Sequence, residues 1–142
     1  MYDIQIGPPG RAPDEALLRR AVEAALQDHG ASDAEVSVTL LEDEAIQALN
    51  REHLDHDWPT DVLSFALWQE GEPILGDIYI GLDQARRQAA EADVPLPQEL
   101  VRLTVHGTLH VLGHDHPEDS EARADSSMYR IQERLVQDVL SG

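Results

Sequence analysis

Three features of the sequence predict an α/β fold of the α+β type, built as one domain with a small mixed four-stranded sheet, about five helices and a metal site on a central helix. Short apolar runs that alternate like strands are interleaved with segments whose apolar residues recur at helical spacing. Gly71-Glu72-Pro73 makes the turn between two of the strand-like runs, a hairpin signal that adds an antiparallel element to the strand-helix alternation. No repeat, low-complexity tract or linker divides the 142 residues, so residues 1–142 form a single domain. A chain of this length buries roughly two-thirds of the surface its unfolded form exposes and needs no disulfide or structural metal to fold.

Taken in order, residues 2–7 (YDIQIG) alternate around Ile4 and Ile6 and meet Gly7-Pro8-Pro9-Gly10, a strand closed by a turn. Asp14 is placed to cap a helix from Glu15 to about His29, in which Leu17, Leu18, Ala21, Val22, Ala25 and Leu26 share a face until Gly30 stops it. Val36, Val38 and Leu40 alternate with Ser37 and Thr39 as a second strand, and Glu42 to about Glu52 follows as a short helix. Trp58-Pro59 breaks the chain before a third strand, Asp61 to Leu67, and a fourth runs from Leu75 to Ile80. Helical spacing returns at Asp83 to Ala92, at about Pro97 to Leu112, and at Glu118 to Leu140.

Composition narrows the chemistry. There is no cysteine, which excludes disulfides and thiolate zinc sites and leaves histidine and carboxylates as metal ligands. No stretch combines a basic segment with an apolar core, and nowhere do 18 apolar residues run together, so a soluble, cytoplasmic protein with no membrane partner is expected. The formal net charge is −18, from 28 acidic and 10 basic residues, and every basic residue is arginine. Such a surface repels polyanions, so any contact with nucleic acid must be local.

Four of the 7 histidines fall between His106 and His116, in V-H-G-T-L-H-V-L-G-H-D-H. His106 and His110 lie four apart on a predicted helix, on one face with Cβ atoms about 5–6 Å apart, a spacing at which two imidazoles can hold one ion. Gly113 can take the left-handed conformation, end the helix and turn the chain so that His116 approaches as a third ligand. In an uninterrupted helix His116 would be rotated about 600° from His110, onto the far side, while His114 would stand about 12 Å along the axis from His106. Three neutral histidines leave one tetrahedral position open, as in catalytic rather than structural zinc sites. One Zn2+ ion is therefore expected, although imidazoles also suit nickel, copper and iron.

The stretch His106 to His116, H-G-T-L-H-V-L-G-H-D-H, resembles the YbeY endoribonuclease signature H-G-x-L-H-L-x-G-Y-D-H, with Val111 for the usual Leu and His114 for the usual Tyr. Pro59-Thr60-Asp61-Val62-Leu63-Ser64-Phe65-Ala66 is similar to the family's P-T-D-V-L-S-F-P, and Leu75-Gly76-Asp77-Ile78-Tyr79-Ile80 to its L-G-D-I-x-I. The resemblance implies a single-strand-specific metallo-endoribonuclease that matures the 3′ end of small-subunit ribosomal RNA and takes part in ribosome quality control. It carries the zinc ligands over to His106, His110 and His116. It also implies work on the small ribosomal subunit beside a ribosome-assembly GTPase and a small-subunit protein.

One departure concerns phosphate contacts. Many members carry an arginine where this chain has Leu54; Arg51, one helical turn earlier, is either its substitute as a catalytic residue or a solvated helix residue. The general base is also open, because Gly107 stands where the H-E-x-x-H proteases place glutamate. Asp115 is a candidate to orient a ligand or accept a proton, or else a turn aspartate; Asp61 and Asp77 read as backbone-binding strand-end residues. His53, His56 and His114 are surface histidines or substrate contacts. Two other functions compete with RNA cleavage: peptide hydrolysis by the same ion, and a non-catalytic ribosome-assembly module whose metal is structural.

Overall fold

A computed structural model describes residues 1–114 and 127–142 of the chain. Among these residues the elements run β1 (Tyr2–Gly7), α1 (Glu15–His29), β2 (Ala34–Leu41), α2 (Asp43–Leu54), β3 (Val62–Ala66), β4 (Ile74–Gly81), α3 (Leu82–Ala92), α4 (Leu96–Val111) and α5 (Ser127–Ser141). This is the expected mixed four-stranded sheet with five helices. The strand order is β1-β2-β4-β3, with β1 parallel to β2 and β2 parallel to β4. The expected hairpin forms, β3 running antiparallel to β4 in the register Val62↔Ile80 to Ala66↔Gly76, and this leaves β3 as an edge strand.

Local chemistry sets the helix ends. The Asp14 carboxylate accepts the Leu17 N–H at 3.1 Å, and Gly30, at φ 82°, closes α1 in the left-handed conformation. Glu42 is the N-cap of α2 rather than its first residue, and the helix persists to Leu54, two residues beyond the expected Glu52. There Asn50, 2% exposed, anchors the following loop: its carbonyl accepts the His56 N–H and its amide donates to the Trp58 carbonyl at 2.9 Å. The final helix was expected from Glu118; residues 115–126 lie outside those described, and α5 extends from Ser127 to Ser141.

One face of the sheet carries the core. Ile4 and Ile6, Val36, Val38 and Leu40, and Ile74, Ile78 and Ile80 point the same way by strand alternation and meet Leu18, Val22 and Leu26 of α1 and Leu100, Val105 and Leu109 of α4. Helix α4 is central, packed between α1, α3 and α5 and lying across β3 and β4. Two glycines permit this approach. A Cβ on Gly76 would stand 2.4 and 2.7 Å from the Val111 γ-methyls, and a Cβ on Gly107 would stand 2.7 Å from Ile78 Cγ2 and 3.1 Å from Ser64 Oγ. The strand and the helix therefore touch through backbone, and the α4 histidines are held at a fixed height above β3.

Candidate metal centre

Helix α4 is buried along most of its surface; beyond Glu99 the half-exposed stripe is Arg102, His106 and His110, spaced four apart. His106 and His110 line a cavity of about 540 Å³ whose other walls include Leu54 of α2, Leu63 and Phe65 of β3, and Met128 and Tyr129 of α5. The two imidazoles converge: their rings are edge to face with centroids 4.6 Å apart, and their Nε2 atoms are 3.1 Å apart. Two nitrogens held at about 2.0–2.1 Å by one tetrahedral ion would be about 3.3–3.4 Å apart, so the pair fits zinc with little movement.

The expected turn is present. Gly113 has φ 97°, its N–H bonds to the His110 carbonyl at 3.0 Å, and the His114 N–H bonds to the Leu109 carbonyl at 2.9 Å, the paired bonds of a Schellman motif. Trp68 Nε1 donates to the Val111 carbonyl at 2.7 Å, which satisfies a further terminal carbonyl and fixes the helix end beside His110. His114 is directed elsewhere, with its ring edge-on to His29 at 6.1 Å. His116 and Asp115 lie outside the described residues, and among the described residues no group of three His, Cys, Asp or Glu side chains is placed to hold a metal ion.

Sequence reasoning missed Gln132. This residue is 7% exposed and accepts a hydrogen bond from His106 Nδ1 at 2.7 Å, while its own Nε2 donates to Glu133 Oε2 at 3.1 Å. Glu133 in turn receives two bonds from Arg102, each 3.1 Å long. Burial opposes ionisation of Glu133, yet the bonds from Arg102 and Gln132 and the Arg102 charge outweigh it and hold the carboxyl below its usual range. A signal was present in the sequence: Met128, Gln132, Leu135, Val136 and Val139 form one buried stripe of α5, and an amide in such a stripe requires a partner.

Of the remaining candidates Asp61 also lines the cavity, and the others are dispersed. Arg51 pairs with Asp57 at 3.2 Å on the exposed side of α2, where a hydrogen bond from Gln47, aided by the bond and charge of Arg51, lowers the Asp57 carboxyl against the opposing effect of desolvation. Leu54, not Arg51, reaches the cavity wall. The Asp61 carboxylate accepts the Val62 N–H at 2.8 Å, a backbone role. Asp77 accepts from Ser37 Oγ at 2.7 Å; its neighbours Gly76 and Ile78 are the residues that meet α4, so Asp77 points to the opposite sheet face. His53 packs edge-on against Phe65, and His56 stacks on Trp58 at 4.6 Å.

Fold and site together define a class: a single α/β domain that presents a histidine pair from its central helix into a cavity beside an edge strand. The sequence profile of the endoribonuclease YbeY family matches residues 11–139. The endoribonuclease YbeY of Bacillus licheniformis is 44% identical over 141 aligned residues, covering 89% of this chain and 87% of that protein. That of Deinococcus radiodurans is 45% identical over 114 residues, covering 78% of this chain and 72% of that protein. A solution structure of a Thermotoga maritima protein superposes with a TM-score of 0.66 at 28% identity, covering 99% of this chain and 90% of that one. The chain belongs to the YbeY family of endoribonucleases. None of the described helices is long and apolar enough to cross a membrane.

Proposed function

We propose that the chain is a zinc-dependent endoribonuclease specific for single strands, with His106, His110 and His116 holding one ion. Its proposed task is cytoplasmic: maturation of the 3′ end of small-subunit ribosomal RNA and ribosome quality control, beside a ribosome-assembly GTPase and a small-subunit protein. The observation that supports this best is the convergence of two imidazole nitrogens, 3.1 Å apart, on the wall of a cavity in a chain of the YbeY family.

When bound, zinc would polarise a phosphoryl oxygen and lower the pKa of a coordinated water to roughly 7. The chain's own residues supply the rest. His106 is held in place by Gln132. Leu54, Val62 and Met128 give the cavity an apolar wall against which an unpaired base can lie, which favours single strands over duplex. Arg51 is the cation nearest to the place of the family's arginine and would leave Asp57 to offset phosphate charge; Asp115 would orient a ligand or accept a proton. Gly107 disfavours peptide hydrolysis of the H-E-x-x-H type, because that position faces Ile78 and Ser64 with no room for a glutamate side chain.

The test incubates zinc-loaded protein with single-stranded RNA, duplex RNA and a peptide, beside a chelated control and the variants His110→Ala and His114→Ala. Cleavage confined to single-stranded RNA, lost on chelation and in His110→Ala but kept in His114→Ala, is the expected result. Peptide cleavage, or stoichiometric zinc with neither polymer cut, would replace it with a peptidase or an assembly module respectively.

A further inference from the structure

We propose that Gln132 sets the orientation and tautomer of His106, and that the Arg102–Glu133 ion pair sets the orientation of Gln132. The inference rests on the assignment of His106 as a zinc ligand and names the positioning residues behind it.

The inference follows from hydrogen-bond polarity. An ionised Glu133 only accepts, and its two oxygens take bonds from Arg102 Nε and Nη2 and from Gln132 Nε2, each at 3.1 Å. With its nitrogen committed to Glu133, the Gln132 amide can present only its oxygen to His106 Nδ1, 2.7 Å away. An acceptor there requires the proton on Nδ1. A neutral imidazole so protonated carries its lone pair on Nε2, the nitrogen that faces His110 Nε2 at 3.1 Å. A flipped amide would set its oxygen against the Glu133 carboxylate and its NH2 against Nδ1–H, repulsive at both ends.

The far end of the chain is anchored. Arg102 Nη1 donates to Glu99 Oε1 at 3.3 Å, and Glu99, only 6% exposed, also takes a bond from Gln88 Nε2 at 2.9 Å. Gln88 of α3, Glu99 and Arg102 of α4 and Glu133 and Gln132 of α5 thus form one connected path to the imidazole, in which His106 donates to Gln132, Gln132 and Arg102 both donate to Glu133, and Arg102 and Gln88 both donate to Glu99. The seam around Gln132 is apolar, lined on α5 by Met128, Leu135 and Val136, so little water competes for the amide.

The test uses the full chain and the variants Gln132→Leu, Glu133→Gln, His106→Ala and Leu135→Ala. The tautomer of His106 is read by long-range 15N–1H NMR of zinc-free protein at a pH where the ring is neutral, and zinc affinity by competition with a chromophoric chelator. Wild type should show the Nδ1–H tautomer. Gln132→Leu should lose it and bind zinc about 10–100-fold more weakly. Glu133→Gln does not touch His106, yet it should give a mixed tautomer and an intermediate loss of affinity because the amide is freed to flip. Leu135→Ala, which loosens the same helix without touching the network, should lower the melting temperature while tautomer and affinity stay as in wild type. A wild-type tautomer and affinity in Gln132→Leu would overturn the inference, as would equal losses in Leu135→Ala. Zinc binding that His106→Ala leaves unchanged would instead overturn the ligand assignment, while the zinc-free tautomer would still decide the role of Gln132.

Discussion

The contact between Gly76 and Val111 yields a prediction whose size follows from the geometry. In Gly76→Ala the new Cβ would stand 2.4 and 2.7 Å from the two Val111 γ-methyls and 3.1 Å from its Cβ. Carbon atoms in contact prefer about 3.5–4.0 Å, so two contacts fall short by about 1 Å. Valine in a helix is stiff at χ1 and cannot swing both methyls aside, so β4 and the end of α4 must separate. Overpacking of this kind costs about 1–3 kcal/mol, and two simultaneous overlaps against a stiff side chain place Gly76→Ala near 2–3 kcal/mol. Val111→Ala alone removes two buried methyl groups, about 1.6 kcal/mol of transfer energy plus a cavity cost, or roughly 2 kcal/mol. Combined, the new methyl occupies the space the old ones left, and the double variant should lose only about 2 kcal/mol, giving a coupling energy near 2–3 kcal/mol. With an unfolding entropy of about 2.1 cal/mol/K for each of 142 residues, Gly76→Ala should melt about 7–10 °C below wild type. Urea denaturation of the four proteins, followed by circular dichroism, measures the cycle. Losses that add to within about 0.5 kcal/mol would refute the claim that these two residues are in direct steric contact.

Three further expectations concern the site and its surroundings. Gly113→Val forces a β-branched residue to φ 97° and should cost about 1–3 kcal/mol and reduce zinc content in metal analysis, since the turn that would carry the chain back toward the ion is strained. The Glu133 carboxyl lies below its usual value of 4.5, so its ion pair contributes fully above that pH and is lost as pH falls through the lower folded-state value; Glu133→Gln should therefore flatten the acid limb of stability measured by urea melts at stepped pH, and an unchanged limb would contradict the pairing. With a net charge of −18, the affinity for single-stranded RNA should change little with salt, whereas Leu54→Arg, placing a cation on the cavity wall, should bind more tightly and add about 0.7 to the slope of log K against log salt in anisotropy titrations; a steep wild-type slope would reveal a basic surface elsewhere.

Much of the molecule is written locally. Helix periodicity, the Asp14 cap, the Gly30 and Gly113 stops and the Gly71 turn involve residues within a few positions of one another, and the element ends that lie among the described residues, the start of the final helix excepted because its expected position is outside them, appear within a few residues of where spacing put them. The pairing of His106 with His110 belongs to the same class, because an i,i+4 separation on a helix is itself a distance. Placing a third ligand at His116 rests on the Gly113 turn and the family signature, and His116 is outside the described residues.

Other features depend on partners remote in sequence, and only the tertiary structure decided them. The Gly71 turn pairs β3 with β4, but no local pattern states that β4 then lies beside β2 and β2 beside β1, the order β1-β2-β4-β3 that puts β3 at the edge beside the histidines. Gly107 and Gly76 read as motif letters until α4 is laid across β3 and β4, when each proves to be the absence of a side chain that would collide. Gln132 is 26 positions from His106, and an amide on an apolar stripe announces the need for a partner without naming it. Arg51 sits one turn from the cavity by sequence, yet the fold pairs it with Asp57 and turns Leu54 to the wall. Spacing along a chain encodes geometry only as far as one element extends; beyond that, packing chooses the neighbours, and the polarity of the bonds they form follows from which groups packing has brought together.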